Sequence, residues 1–130
     1  MNAERIELVT PADERYAPVI RLVLGGIADR LDMGLDDLDD LQLAVERLMA
    51  EAGGEDCVRM SCELSEQGLR TRIGPLRESV ISEALQGPEP APGEISLRVV
   101  LETVVDSYGV EHAEDGELMV RLEKRSRERH

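Results

Sequence analysis

Apolar residues recur at steps of three and four between Asp36 and Ala52, which is the period of one α-helix face. This stretch, DDLDDLQLAVERLMAEA, carries four aspartates in its first turns, where the positive end of the helix dipole favours carboxylates. Its apolar face comprises Leu38, Leu41, Val45, Leu48 and Ala52. We therefore predict an amphipathic helix over 36–52, with the aspartates solvated rather than holding a metal ion.

Alternation of apolar and charged residues predicts five strands elsewhere in the chain. They fall at about 5–10, 57–64, 69–73, 108–112 and 118–122. Helical spacing predicts further helices at about 13–31, 76–85 and 97–105. Gly74-Pro75 is expected to end the third strand, and QGPEPAPG at 86–93 is expected to be a loop.

Each predicted strand has one apolar and one charged face, whereas parallel strands covered on both sides are apolar throughout. The pattern therefore predicts an α+β, two-layer α/β sandwich: a mostly antiparallel, five-stranded sheet with helices on one face. The face expected to meet water carries Arg59, Glu63, Arg70, Arg72, Arg121 and Glu123. We expect one domain over 1–125 and a charged tail over 126–130, with fraying from Lys124 onward.

The first helix contains two adjacent glycines, Gly25 and Gly26, at interior positions. Each costs about 1 kcal/mol relative to alanine, so we expect a neighbouring element to pack closely there, with weak local order as the alternative. The buried stripe of this helix is predicted to be Tyr16, Ile20, Val23, Ile27 and Leu31.

The 130 residues carry a net charge of -13, which argues against binding nucleic acid or anionic membrane and suits a basic protein partner. No apolar run is long enough to span a bilayer, and we expect a cytoplasmic protein. Cys57 and Cys62 are predicted to lie on opposite faces of one strand, reduced and unpaired. No zinc-ligand spacing occurs.

Two phrases, RLVLGGIADRLDMGLDDLDDLQLAVERLMAEA and LETVVDSYGVEHAEDGELMVRLEKR, together with the order of elements, resemble the bacterial anti-sigma factor serine kinases. These belong to the histidine-kinase-like (GHKL, Bergerat-fold) ATPases. The resemblance implies a site for ATP and Mg²⁺ on the helix-covered side of the sheet, beneath a lid. It also implies that the protein partner is a sigma factor or an anti-anti-sigma antagonist, and that homodimers can form.

In that family the second helix ends with a general-base Glu and, four residues later, a Mg²⁺-binding Asn. With LQLAV (41–45) in register, these positions are Arg47 and Glu51. Arginine cannot accept a proton at neutral pH, and Glu51 adds charge beside the phosphates. The simpler interpretation is a surface i,i+4 pair. An alternative register offers Glu46 as base but places Ala50 at the second position.

The other two nucleotide motifs of the family are also degraded here. The Asp-x-Gly-x-Gly motif after the third strand reads RIGPLRESV, which retains only Gly74. In the family, a pair of glycines at the start of the last helix leaves backbone N–H groups free to bind phosphate. Here Ile95 and Leu97 occupy those positions, and Gly93 lies slightly upstream. Gly74 and Gly93 are therefore the remaining candidate cofactor-binding residues.

The resemblance and these losses together imply an anti-sigma-factor-like regulator of a partner-switching pathway that is catalytically degenerate, needs no cofactor and acts by protein binding. One alternative is an ATP-dependent protein serine kinase with a rearranged nucleotide site. The other is a structural dimerisation module.

Overall fold

A computed structural model describes residues 4–52, 57–86, 96–112 and 117–125. The described strands are β1 (Glu4–Pro11), β2 (Cys57–Ser65), β3 (Gly68–Arg77), β4 (Ser107–His112) and β5 (Glu117–Arg125). The described helices are α1 (Ala17–Arg30), α2 (Leu35–Ala52), α3 (Glu78–Gln86) and α4 (Leu97–Val104). A 3₁₀ turn, Glu14–Tyr16, precedes α1.

The strands form one sheet in the order β1-β2-β3-β5-β4, and every neighbouring pair is antiparallel. Alternate residues of each strand face the helices. In β2 these are the buried residues Val58, Met60, Cys62 and Leu64, as predicted. The predicted α+β sandwich is confirmed, with β1 and β4 as the edges of the sheet.

Helix α2 lies at the centre of the helical layer and contacts α1, α3, α4 and β3. Leu41, Val45 and Leu48 of its predicted stripe are at most 1% exposed, and Leu38 is half-buried. The expectation of solvated aspartates is wrong for Asp37, which is only 6% exposed. Its burial follows from a cation that the tertiary fold brings beside it.

That cation is Lys124, where we expected the chain to fray. Instead β5 continues to Arg125, and Lys124 is buried because it follows Leu118, Val120 and Leu122 on the inward face. Its Nζ donates a hydrogen bond to the carbonyl oxygen of Val104 at 2.7 Å. It also lies 3.6 Å from Asp37 Oδ1 and 3.4 Å from Asp40 Oδ2. The lysine thus joins β5 to α2 and α4.

The predicted buried face of α1 is confirmed at Ile20 and Ile27, and Val23 and Leu31 pack against the core partly buried, but the prediction is wrong for Tyr16. The fully buried residues of the helix are Ile20, Leu24, Ile27 and Ala28, while Tyr16 is 37% exposed because it lies in the 3₁₀ turn, outside the α-helical phase. The expectation of close packing at Gly25 and Gly26 is wrong: nothing lies within 4 Å of a Cβ built on either residue.

Strand β3 does not end at Gly74-Pro75. Its pairing with β5 shifts register between Ile73 and Leu76 and then resumes to Arg77, so α3 begins at Glu78 instead of Leu76. Proline lacks an N–H and is tolerated at such an irregularity. The predicted segments 87–93, 114–116 and 126–130 lie outside the described residues.

Candidate functional site

The two positions predicted to replace the Glu and Asn of the resembling family lie one turn apart near the end of α2. Arg47 is half-buried, and Glu51 follows it four residues later in the helix. Helical periodicity places Asp40 on this edge as well, and Asp40 contacts the lysine that is bound to α4. The Arg47 edge of α2 therefore faces α4 and not α1.

Glu46 lies about 100° around α2 from Arg47 and is bound to α1. The Arg21 guanidinium donates to both of its carboxylate oxygens, with Nε–Oε2 at 2.9 Å and Nη2–Oε1 at 2.5 Å. This hydrogen bond raises the pKa of Arg21, so the arginine stays charged. Glu46 is thus turned away from the edge where the family keeps its general base.

Gly74 has a clear packing role at the irregularity of β3. A Cβ on this residue would lie 2.8 Å from the Leu118 carbonyl oxygen and 3.2 Å from Met119 Cα. Its cross-strand neighbour, Arg59, is exposed on the outer face, so the Cβ position of Gly74 faces away from the helices. A nucleotide contact by Gly74 remains a prediction, and Gly93 lies outside the described residues.

The start of α4 is capped by its own chain. Ser96 has extended backbone angles, and its Oγ accepts a hydrogen bond from the Val99 N–H at 3.2 Å. This is the N-cap geometry that serine favours, and it occupies one of the N–H groups that an open helix terminus offers to phosphate. Our motif comparison missed this residue, although a serine directly before the apolar run LRVV is a recognisable cap signal.

The outer sheet face carries a network of arginines and glutamates. Arg72 and Arg121 lie directly opposite each other in β3 and β5, an arrangement that destabilises a sheet unless an anion separates the charges. Glu111 supplies that anion: Arg72 Nε and Arg121 Nη1 donate to its two oxygens at 2.9 and 3.1 Å. Arg72 also bonds Glu63. Hydrogen bonding from Arg72, together with its charge and that of Arg121, lowers the pKa of Glu111.

The cysteines match the prediction. Cys57 is exposed and Cys62 buried in the same strand, and both are free. Burial raises the pKa of the Cys62 thiol, and its Sγ lies 3.6 Å from Thr71 Oγ1. The residue therefore packs as a small apolar side chain in the core.

No helix within the described residues is long and apolar enough to cross a membrane.

Comparison with known proteins gives a consistent set of relatives, although no family model matches the chain. The chain is 27% identical over 133 aligned residues to the serine-protein kinase RsbW of Bacillus cereus (strain AH820), covering 85% of this chain and 79% of that kinase. It is 39% identical over 51 residues to the Bacillus subtilis (strain 168) RsbW, covering 39% of this chain and 32% of the kinase. The Bacillus licheniformis RsbW is 40% identical over 50 residues, or 31% of its length.

Two of these three alignments thus span about a third of the relative, and the third spans most of both proteins. The relatives share one name, and the fold has the element order and single helical layer that the resemblance implied. These similarities, together with the fold, support the resemblance of this chain to the bacterial anti-sigma factor serine kinases.

Proposed function

We propose that this protein is an anti-sigma-type regulator of a bacterial partner-switching pathway, which binds a sigma factor or an anti-anti-sigma antagonist in the cytoplasm without phosphorylating it. The observation that carries the proposal is Arg47, which stands where the family has its general base.

Phosphoryl transfer in this family needs a group that accepts or orients a proton and a neutral ligand for Mg²⁺. The guanidinium of Arg47 remains protonated at neutral pH and cannot serve as base. Glu46 does not replace it, because it lies about 100° around the helix from Arg47 and faces Arg21 of α1. The hydrogen bond from the Val99 N–H to Ser96 further reduces the phosphate-binding capacity of α4. Partner binding needs none of these groups, so the proposed activity requires no cofactor.

The first test is calorimetric titration with ATP, with and without Mg²⁺, combined with a phosphorylation assay on an anti-anti-sigma antagonist. We expect no heat at millimolar nucleotide and no phosphate transfer. The double variant Arg47→Glu/Glu51→Asn restores the family's pair and serves as the matched comparison. Phosphate transfer by the unmodified chain would refute the loss of catalysis.

The second test addresses binding. A two-hybrid screen against the sigma factors and antagonists of the host is expected to give at least one interaction, which should persist in the purified proteins without ATP. Failure of every sigma factor and antagonist to bind would refute the partner-binding part of the proposal.

A serine kinase with a rearranged site is the second candidate, and one observation favours it. The relatives carry the name serine-protein kinase, and the resemblance to one of them extends over 85% of this chain. This candidate requires Mg-ATP to bind and a carboxylate other than Glu46 to act as base. Heat on Mg-ATP addition, lost in Glu51→Ala, would support it over the degenerate regulator.

We also propose that the protein forms a homodimer through the β1 edge and the outer side of α1. β1 has one unpaired edge, a natural template for a second strand. On α1, Leu22 is 77% exposed and Val19 41% exposed, and Gly26 carries no side chain that would keep a second helix away.

Leu22→Lys should shift the protein from dimer to monomer in sedimentation equilibrium. Leu35→Lys is the control, because Leu35 is 78% exposed but lies at the start of α2. A chain that is monomeric without any substitution would rule out the dimer and the dimerisation-module alternative with it.

A further inference from the structure

A cleft of about 260 Å³ opens between the segment that joins β1 to α1 and the last turns of α2. Its wall is apolar and consists of Ala12, Ala17, Ile20, Met49 and Ala50. Three of these five residues are alanines, and their short side chains create the space. Ile20 and Met49 also border a small gap in the core below, so the floor of the cleft is the core itself.

Two carboxylates, Asp13 and Glu46, also line this cleft. Asp13 comes from the β1–α1 junction and Glu46 from α2, so they approach the opening from different elements. Each is bonded to an exposed arginine: Asp13 Oδ2 accepts from Arg15 Nε at 3.0 Å, and Glu46 accepts from Arg21. Exposed ion pairs contribute little, so an incoming cation can replace either arginine readily.

The size of the cleft limits its occupant. A cavity of about 150 Å³ can hold benzene, so this cleft has room for a large apolar side chain of a partner. Amphipathic helices dock in this manner, with an apolar anchor in a groove and charged residues at its rim. A chain with net charge -13 and carboxylates at the cleft attracts a basic segment.

We propose that this cleft anchors one apolar side chain of a basic amphipathic helix in the protein partner, with Asp13 and Glu46 receiving the flanking lysines or arginines. The inference rests on the proposed function, because it names the docking point of the partner in that function. The cleft borders α2 on its α1 side, whereas Arg47 lies on the α4 side. A helix docked in the cleft would therefore leave the Arg47 edge of α2 uncovered.

The test uses a synthetic peptide of leucine and lysine at helical spacing, a scrambled peptide of the same composition, and fluorescence anisotropy. The folded chain should bind the helical peptide more tightly than the scrambled one. Ala50→Leu fills the cleft without changing charge and should weaken binding about tenfold. The control Ser79→Leu adds the same side chain at an exposed position on α3 and should leave the affinity unchanged.

The charge part of the proposal has its own pair of variants. Glu46→Gln should weaken binding and reduce its dependence on salt, whereas Asp36→Asn, an exposed acid on the same helix, should not. If Ala50→Leu fails to fold, the comparison of Glu46→Gln with Asp36→Asn still tests whether the peptide binds at the cleft. Equal affinity of Ala50→Leu and the unmodified chain, or equal affinity of helical and scrambled peptides, would overturn the proposal.

Two further measurements separate the possible failures. If a sigma factor or antagonist binds Ala50→Leu as well as the unmodified chain, the cleft proposal fails and the proposed function stands. If the peptide result holds but no sigma factor or antagonist binds, the proposed function fails alone. A change of sedimentation coefficient in Ala50→Leu would show that a second copy of the chain occupies the cleft, which also overturns the proposal.

Discussion

Replacing Lys124 with methionine removes a buried charge that joins β5, α2 and α4, and it supplies an apolar side chain of similar length. The lysine side chain is 8% exposed, and that of Asp37 is 9% exposed. Without the ammonium group, the buried carboxylate of Asp37 loses its 3.6 Å ion pair, and the Val104 carbonyl loses its 2.7 Å hydrogen bond. Both groups sit at helix ends, so the loss acts on α2 and α4 together.

Breaking a buried ion pair by removing one partner costs about 3–5 kcal/mol. We expect about 3 kcal/mol here, at the lower end of that range, because Asp40, the second acid, is 42% exposed and remains hydrated. Domains of this size are stable by about 5–15 kcal/mol, so the variant should fold but unfold at markedly lower urea concentration.

The assay is urea unfolding followed by circular dichroism, with the slope of free energy against urea compared between variants. Arg125→Met is the control, since it alters the adjacent exposed residue of β5. The variant Asp37→Leu/Lys124→Met replaces the pair by apolar groups and should recover most of the loss. A loss below about 1 kcal/mol for Lys124→Met, or no recovery in the double variant, would refute the assigned role of the pair.

Three further predictions concern stability. Gly25→Ala should raise the free energy of unfolding by about 1 kcal/mol, because the added methyl meets open space; a decrease in the urea midpoint would contradict this. Gly109→Ala should lower it by about 1 kcal/mol, because the methyl would lie 3.1 Å from Arg121 Cζ and displace that guanidinium from Glu111; an unchanged midpoint would count against the network. Arg72 holds the pKa of Glu111 below its usual value of 4.5, so Glu111 stabilises the fold above pH 4.5 and loses this effect as the pH falls through the lowered pKa. Glu111→Gln should therefore be less stable at pH 7 and lose less stability on acidification; parallel pH profiles would disprove the assignment.

Elements whose pattern depends on local periodicity can be predicted from the sequence. The apolar steps of Leu41, Val45 and Leu48 predict α2, and alternation in β2 predicts which residues are buried. The same alternation decides the class of fold, since strands with one charged face require a sheet covered on one side. For the site, a four-residue spacing was enough to align Arg47 and Glu51 with the family's pair, because that spacing is a property of one helix.

Which distant charges meet depends on how the helices and strands pack against one another. Lys124 and Asp40 are 84 residues apart in sequence, and Arg21 and Glu46 are 25 apart. No local pattern encodes these pairs, since an ion pair depends on where separate elements pack. The same reason explains Gly74: the residues Gly-Pro predict an end to β3, but pairing with β5 resumes beyond the irregularity. The cleft could not be predicted for the same reason. Ala12 and Ala17 are far from Ala50 in the sequence, and only the packing of their elements leaves a space between them.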